Sequence, residues 1–117
     1  MTIMLETVTP PKSGAFKIDF SITTEIVVPA DVARRSVGVY VGNTIADLLH
    51  AETPTLVLKE QGVFWRVPVI LSAGSVGRIG PVGAIDVDAQ TGELLLDQRN
   101  LRELDRNAER LAAGAAL

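Results

Sequence analysis

The sequence predicts an α+β domain, an antiparallel sheet of about five strands with two helices packed on one face. Three observations predict it. Apolar and polar side chains alternate with period two at 16–28, 56–69 and 84–88; apolar residues recur at helical spacing at 29–49 and 100–112; and proline- or glycine-bearing turns separate these runs. The order is strand, helix, two hairpins, helix, which suits strands and helices segregated into layers around one core.

The chain has 117 residues, 47% of them apolar, enough for one domain with a real core. That domain is expected over 14–113, with 1–13 a flexible N-terminal segment and 114–117 a tail. Eleven basic and fourteen acidic residues leave a net charge of −3, which argues against a coat for nucleic acid. There is no cysteine, hence no disulfide framework, thiolate metal site or cysteine nucleophile. The N-terminal stretch lacks a basic start, carries Glu6 and breaks at Pro10-Pro11, unlike an export signal. Apolar runs such as Ile26-Val27-Val28 and Leu94-Leu95-Leu96 fall far short of the roughly 20 residues a spanning helix needs. A soluble, cytoplasmic protein without a membrane partner is expected.

Phe16, Ile18, Phe20, Ile22, Ile26 and Val28 share one face of a predicted strand. Its length exceeds the usual 5–6 or so residues, so it either bends or extends beyond its own sheet, leaving an edge open to another chain. Pro29 suits the first turn of the helix that follows. There Ala33, Val37, Val41, Ile45, Leu48 and Leu49 form the apolar stripe, with Ser36, Asn43, Asp47 and His50 opposite. Gly38 and Gly42 each cost about 1 kcal/mol in a helix interior, which points to close backbone approach by the sheet or a second helix.

A turn at Gln61-Gly62 pairs Leu58 with Trp65 and Leu56 with Val67, placing every large residue on one side. Pro68 cannot donate to a ladder, so one flank of its strand is interrupted there or forms an edge. A glycine-rich connection over 72–81 follows, then a strand carrying Ile85 and Val87. Asp88 can accept turn N–H bonds while Gly92 supplies positive φ, and 93–97 returns as the partner strand. Asn100 begins the last helix with Glu103 completing a capping box. Leu101, Leu104, Ala108, Leu111 and Ala112 face inward, and Gly114 stops it.

Trp65-Arg66-Val67-Pro68-Val69, the glycine-rich link, Val82-Gly83-Ala84-Ile85 and Val87-Asp88-Ala89-Gln90-Thr91-Gly92-Glu93 together resemble the β-meander of PepSY-type domains. There an aromatic-bearing strand precedes a strand ending in a valine–aspartate–alanine…threonine–glycine–glutamate turn. In spacing the stretch is more similar to a set of short bacterial proteins, some encoded beside PIN-domain toxins. The resemblance covers under half the chain, and the run at 16–28 is not part of the PepSY pattern. The first resemblance implies a non-catalytic module that binds or restrains a protein partner, and the second an antitoxin-like role.

Candidate chemistry is sparse. Asp86 and Asp88 with Glu93 across the turn could gather around Ca²⁺, but the regular ligand run of a calcium loop is missing. The reading preferred is that Asp88 bonds its own turn and Asp86 faces water. His50 is the sole histidine, without the adjoining nucleophile and acid of a triad. It suits a helix C-terminus, where a cation is favoured. Gly74, Gly77 and Gly80 with Arg78 could cradle an anion, or could simply form a mobile connection. On the last helix Arg99, Arg102, Arg106 and Arg110 form one stripe. It could grip an acidic partner or RNA, although pairing of Arg106 with Glu103 and Glu109, and of Arg102 with Asp105, favours a solvated face. Trp65 reads as a core anchor. The expectation is therefore a non-enzymatic interaction module with no cofactor, metal or catalytic residue. It associates with itself as a homodimer or other homo-oligomer, or with a toxin-like protein, through Arg78 and the arginine stripe.

Overall fold

The computed structural model describes residues 3–6, 11–17 and 23–115. Its elements in chain order are β1 (Ile3–Leu5), α1 (Ala30–Thr44), β2 (Leu49–Ala51), β3 (Thr55–Lys59), β4 (Gly62–Ala73), β5 (Gly77–Asp88), β6 (Leu94–Leu95) and α2 (Gln98–Gly114). The sheet runs β1-β3-β4-β5-β6, with β2 beside β3 on the same flank of β4. All pairings are antiparallel except β1 with β3, which is parallel. Both helices contribute to one core on one face of the sheet, as expected: Ala33, Val37 and Val41 from α1 and Leu104 and Ala108 from α2 meet Leu56, Trp65, Val67, Val69, Ile85 and Val87. Each fully buried Val or Leu here contributes about 1.5–3 kcal/mol.

The centre of the fold is the hairpin of β4 and β5, each twelve residues long. The predicted connection at 72–81 is mostly strand: Ala73 pairs with Gly77, Leu71 with Gly80 and Ile70 with Pro81, with register breaks after Val69 and Leu71. The glycines and Pro81 allow these irregularities, which a ladder tolerates at bulges. Pro68 interrupts one flank of β4, as its chemistry requires. Upstream of it β3 pairs with 62–66, and downstream β2 pairs with 69–71. The Pro68 carbonyl accepts from the Glu52 N–H at 2.9 Å, so its missing donor falls at the seam between the two short strands.

Several expectations are corrected. The β3–β4 turn is at Glu60-Gln61, with Leu56 opposite Trp65 and Leu58 opposite Val63. A shift of two residues preserves which face each side chain takes, so burial patterning cannot detect it. The helix expected to reach Leu49 ends at Thr44, because Leu49 is 1% exposed in the sheet opposite Leu71. Gly38 and Gly42 do face a close neighbour, and it is β2: a Cβ on Gly38 would lie 3.7 Å from Ala51 Cβ, and one on Gly42 3.9 Å from Leu49 O. Asn100 is no cap. Asp97 caps α2, its Oδ1 accepting from Arg99 N at 2.9 Å.

No strand forms in the described parts of the run 16–28, and Ile18, Phe20 and Ile22 lie outside the described residues. Both flanks of β4 carry strands and the upstream edge of β5 is covered by α2, which leaves the described parts of the segment no central slot. Its end is instead pinned to the turn after β5. Val27 N and Val28 N both donate to Ala89 O, and Trp65 Nε1 donates to Val28 O at 2.7 Å. Ile3–Leu5, set outside the domain by the sequence reading, belongs to the sheet.

Candidate functional site: a charge-locked sheet face and its open edge

On the face away from the helices, four charged residues from successive strands converge. Asp86 of β5 accepts from Arg66 of β4 through both oxygens, Nε to Oδ1 at 2.9 Å and Nη2 to Oδ2 at 3.0 Å. Lys59 of β3 also donates to Asp86 Oδ2, reaching across β4 with its ammonium 4.8 Å from the centre of the Phe64 ring. Arg66 Nη2 donates in turn to Glu6, just beyond β1, at 3.0 Å, and Nη1 approaches Met4 Sδ. Burial alone would push the Asp86 carboxyl up. The hydrogen bonds from Arg66 and Lys59 outweigh it and hold the group below its ordinary value. The same bonds to Asp86 hold the Arg66 proton more firmly than usual.

Asp86 therefore does not face water as expected; its side chain is 12% exposed. Every oxygen is used, and an open depression of about 400 Å³ over Lys59, Arg66 and Asp86 is bordered by Leu95, Asp97 and Asn100. This arrangement makes a latch, with cations neutralised by their own acids. It ties Glu6, and with it β1, to the middle of the sheet.

Other nominated residues do not join it. Asp88 stays with its own turn, Oδ1 accepting from Gln90 N at 2.8 Å and Thr91 N at 3.1 Å, while Gly92 takes φ +80°. His50 is corrected from a helix end to β2, opposite Ile70 and exposed. Arg78 is a strand residue, not a loop anchor. Glu52 takes its Nε at 3.0 Å and Nη2 at 3.2 Å, and this hydrogen-bonded pairing lowers the Glu52 carboxyl and raises the guanidinium.

Arg99, Arg102, Arg106 and Arg110 all lie exposed along α2. The pairs expected for Arg102 and Arg106 are not formed. Arg99 meets Glu103 at 3.7 Å, and Arg110 Nη2 donates to Asn107 Oδ1 at 3.3 Å.

Asn107, which the sequence analysis does not name, and Asn100, expected there as a cap, close the far side of the sheet. Among the described residues β6 flanks only Asp86 and Val87, leaving the upstream edge of β5 without a strand. Asn100 Nδ2 donates to Ala84 O and Asn107 Nδ2 to Val82 O, each at 2.9 Å. Their signal was present: at i and i+7 both fall within the apolar stripe of Leu104, Ala108 and Leu111, where an amide needs a partner.

The opposite rim is different. β1 has β3 on one side and, among the described residues, no strand on the other. Ile3 is 56% and Met4 42% exposed. Comparison of the chain with protein-family models, with curated proteins and with solved structures finds no match.

Proposed function

We propose that the protein is a small non-enzymatic interaction module of the cytoplasm that associates with itself. The observation that carries this reading is the rim at β1: a strand with an unpaired side among the described residues and exposed Ile3 and Met4. Unpaired strand edges are templates for pairing with another chain. The alternating run at 16–28 suggests an open edge, and among the described residues β1 is such an edge. Supporting it, the ionisable groups nearest one another are spent on mutual pairing, as with Asp86, Arg66 and Lys59. The PepSY-like pattern of 65–93 supports a binding role in the same sense.

Size-exclusion chromatography with light scattering across a dilution series up to about 1 mM tests the reading, on the scale of effective concentrations for linked segments. The mass should rise from monomer towards dimer, and a strict monomer throughout overturns it.

A second reading, neutralisation of a toxin-type nuclease, is favoured by the exposed Arg102 and Arg106, which have no acidic partner on their own helix. Co-expression with the product of the neighbouring gene tests it: co-purification and relief of toxicity support it, and failure of both overturns it.

A further inference from the structure

We propose that the groove between α1 and the outer side of β2 binds an acidic peptide segment, which lies extended beside Ala51 and sends its carboxylates to Arg34, Arg35 and His50. This binding mode is separate from the self-association read at the β1 rim and does not depend on it. The groove is open, with a volume of about 320 Å³. It is bordered by Arg34, Arg35, Gly38 and Val39 of α1 and by His50 and Ala51 of β2.

One backbone donor and one acceptor are unspent there. β2 pairs with β4 and, among the described residues, has no strand on its other side. Glu52 N donates to Pro68 O and Ser72 N to Leu48 O, so the ladder bonds fall at Leu48, His50 and Glu52. Bonded and non-bonded pairs alternate along an antiparallel ladder, which turns the N–H and C=O of Leu49 and Ala51 outward. Those of Leu49 are closed off. Its N–H donates to Ala46 O at 3.1 Å, and a Cβ on Gly42 of α1 would lie 3.9 Å from its carbonyl. Ala51 borders the groove instead, and among the described residues no hydrogen bond takes its N–H or its C=O. Gly38, beside it on α1, has no side chain to fill the space.

The charge around this slot is positive. Arg34 and His50 are exposed and make no ion pair or hydrogen bond among the described residues. Arg35 has Asp31 at 3.5 Å, with the two side chains 68% and 67% exposed. So exposed a pair is weak, and a second carboxylate can share or take the guanidinium. Glu52, next to Ala51, is already held by Arg78 at 3.0 and 3.2 Å. Histidine donates a hydrogen bond in either protonation state, so His50 serves an acceptor ligand throughout.

Backbone and charge together select the occupant. A phosphodiester backbone could use the cations and the Ala51 N–H, but it carries no N–H for the Ala51 carbonyl. An extended peptide supplies both, because one of its residues can exchange two bonds with Ala51, as when a strand is added to an open edge. Successive side chains of that peptide then fall on opposite faces. A glutamate opposite Ala51 points, like Ala51 itself, toward α1 and its arginines, while its neighbours share the face of His50. A run of acids therefore meets cations on both faces.

Titration of the isotope-labelled full chain with a serine-flanked triglutamate peptide, to millimolar concentration and followed by amide NMR, tests the proposal. The amides of His50, Ala51 and Glu52 should shift, and those of Ile3–Leu5 should not. Arg34→Glu and His50→Glu should each weaken binding about three- to tenfold, the scale of an exposed attraction replaced by a repulsion. Fluorescence of the buried Trp65 checks that each variant is folded. Methylating the glutamate backbone nitrogens of the peptide should abolish binding; unchanged binding there shows attraction of charge alone and overturns the strand pairing. A trilysine counterpart, inorganic phosphate or a short oligonucleotide that shifts the same amides at the same concentrations overturns the assignment to an acidic peptide. Absence of any shift, or shifts confined to β1, overturns the site, while light scattering on the unaltered chain decides self-association separately.

Discussion

The contact between α2 and β5 depends on a missing side chain. Gly83 has φ +152°, and a Cβ built there would lie 2.5 Å from Leu104 Cδ2 and 3.4 Å from its Cγ. Leu104 is 1% exposed within the core cluster, so its methyl has little room to retreat. Gly83→Ala therefore carries two costs. Backbone strain in a region reserved for glycine is worth about 1–3 kcal/mol, and an extra methyl forced into a packed core about 1–3 kcal/mol. Together they predict a loss of about 2–6 kcal/mol, a large part of the 5–15 or so typical of a whole domain.

Urea unfolding followed by fluorescence measures this well, since Trp65 is the sole tryptophan and is 2% exposed. The two costs separate in a double-mutant cycle with Leu104→Ala. That substitution alone should cost about 2–5 kcal/mol through the cavity it leaves. In its background Gly83→Ala should keep the backbone strain but lose the steric share, giving a coupling of about 1–3 kcal/mol. Strict additivity would refute the clash with Leu104. A Gly83→Ala protein within 0.5 kcal/mol or so of the parent, the range of an unremarkable surface change, would refute the docking of α2 described above.

Asn100→Ala and Asn107→Ala each strip a donor from a β5 carbonyl and should each lower the unfolding free energy by about 1–2 kcal/mol in urea titrations. Acid should weaken the fold through Asp86. Its folded carboxyl is held below its unfolded value, so its contribution is whole above the ordinary carboxylate range and is lost as pH falls through the folded pKa. The urea midpoint of Asp86→Asn should accordingly depend less on pH than the parent's between about pH 5 and pH 2, and parallel profiles would count against the latch. Gly38→Ala should stabilise by about 0.5–1 kcal/mol, measured as a higher urea midpoint, because the new methyl meets Ala51 at an ordinary 3.7 Å while the helix loses a glycine.

What the sequence disclosed follows from which physics is local. The stripe of the last helix, the first helix's stripe as far as Val41, the Asp88–Gly92 turn, the Trp65 anchor and the break at Pro68 depend on a residue and its near neighbours, and, although Leu49 belongs to β2, these appear where expected. Register did not, because the turn at Glu60-Gln61 and the one expected at Gln61-Gly62 bury the same faces. In the described parts of 16–28 alternation does not become a strand, for a complementary reason. Period two shows that a segment suits a strand, but a strand also needs an open neighbour; both flanks of β4 carry strands and the upstream edge of β5 is closed by Asn100 and Asn107. The glycines of 72–81 read as a loop because backbone freedom serves bulged strands and connections alike. The Asp86 latch was invisible for want of long-range information: Glu6, Lys59, Arg66 and Asp86 are brought together only by the order β1-β3-β4-β5.

That order treats the two rims of the sheet unequally. At the β5 rim, backbone acceptors are satisfied by amides of a helix that also buries Leu104, so opening that edge means undocking α2 from the core. At the β1 rim the strand is held by its short parallel ladder on β3 and, at its end, by Glu6 against Arg66 at 3.0 Å and Lys59 at 4.0 Å, with the Glu6 side chain 38% exposed. Exposed ion pairs are individually weak and are screened by salt, whereas the core contacts of α2 are neither. The two rims therefore differ in what covers them: a helix packed into the core at one, and a short strand with a partly exposed ion pair at its end at the other.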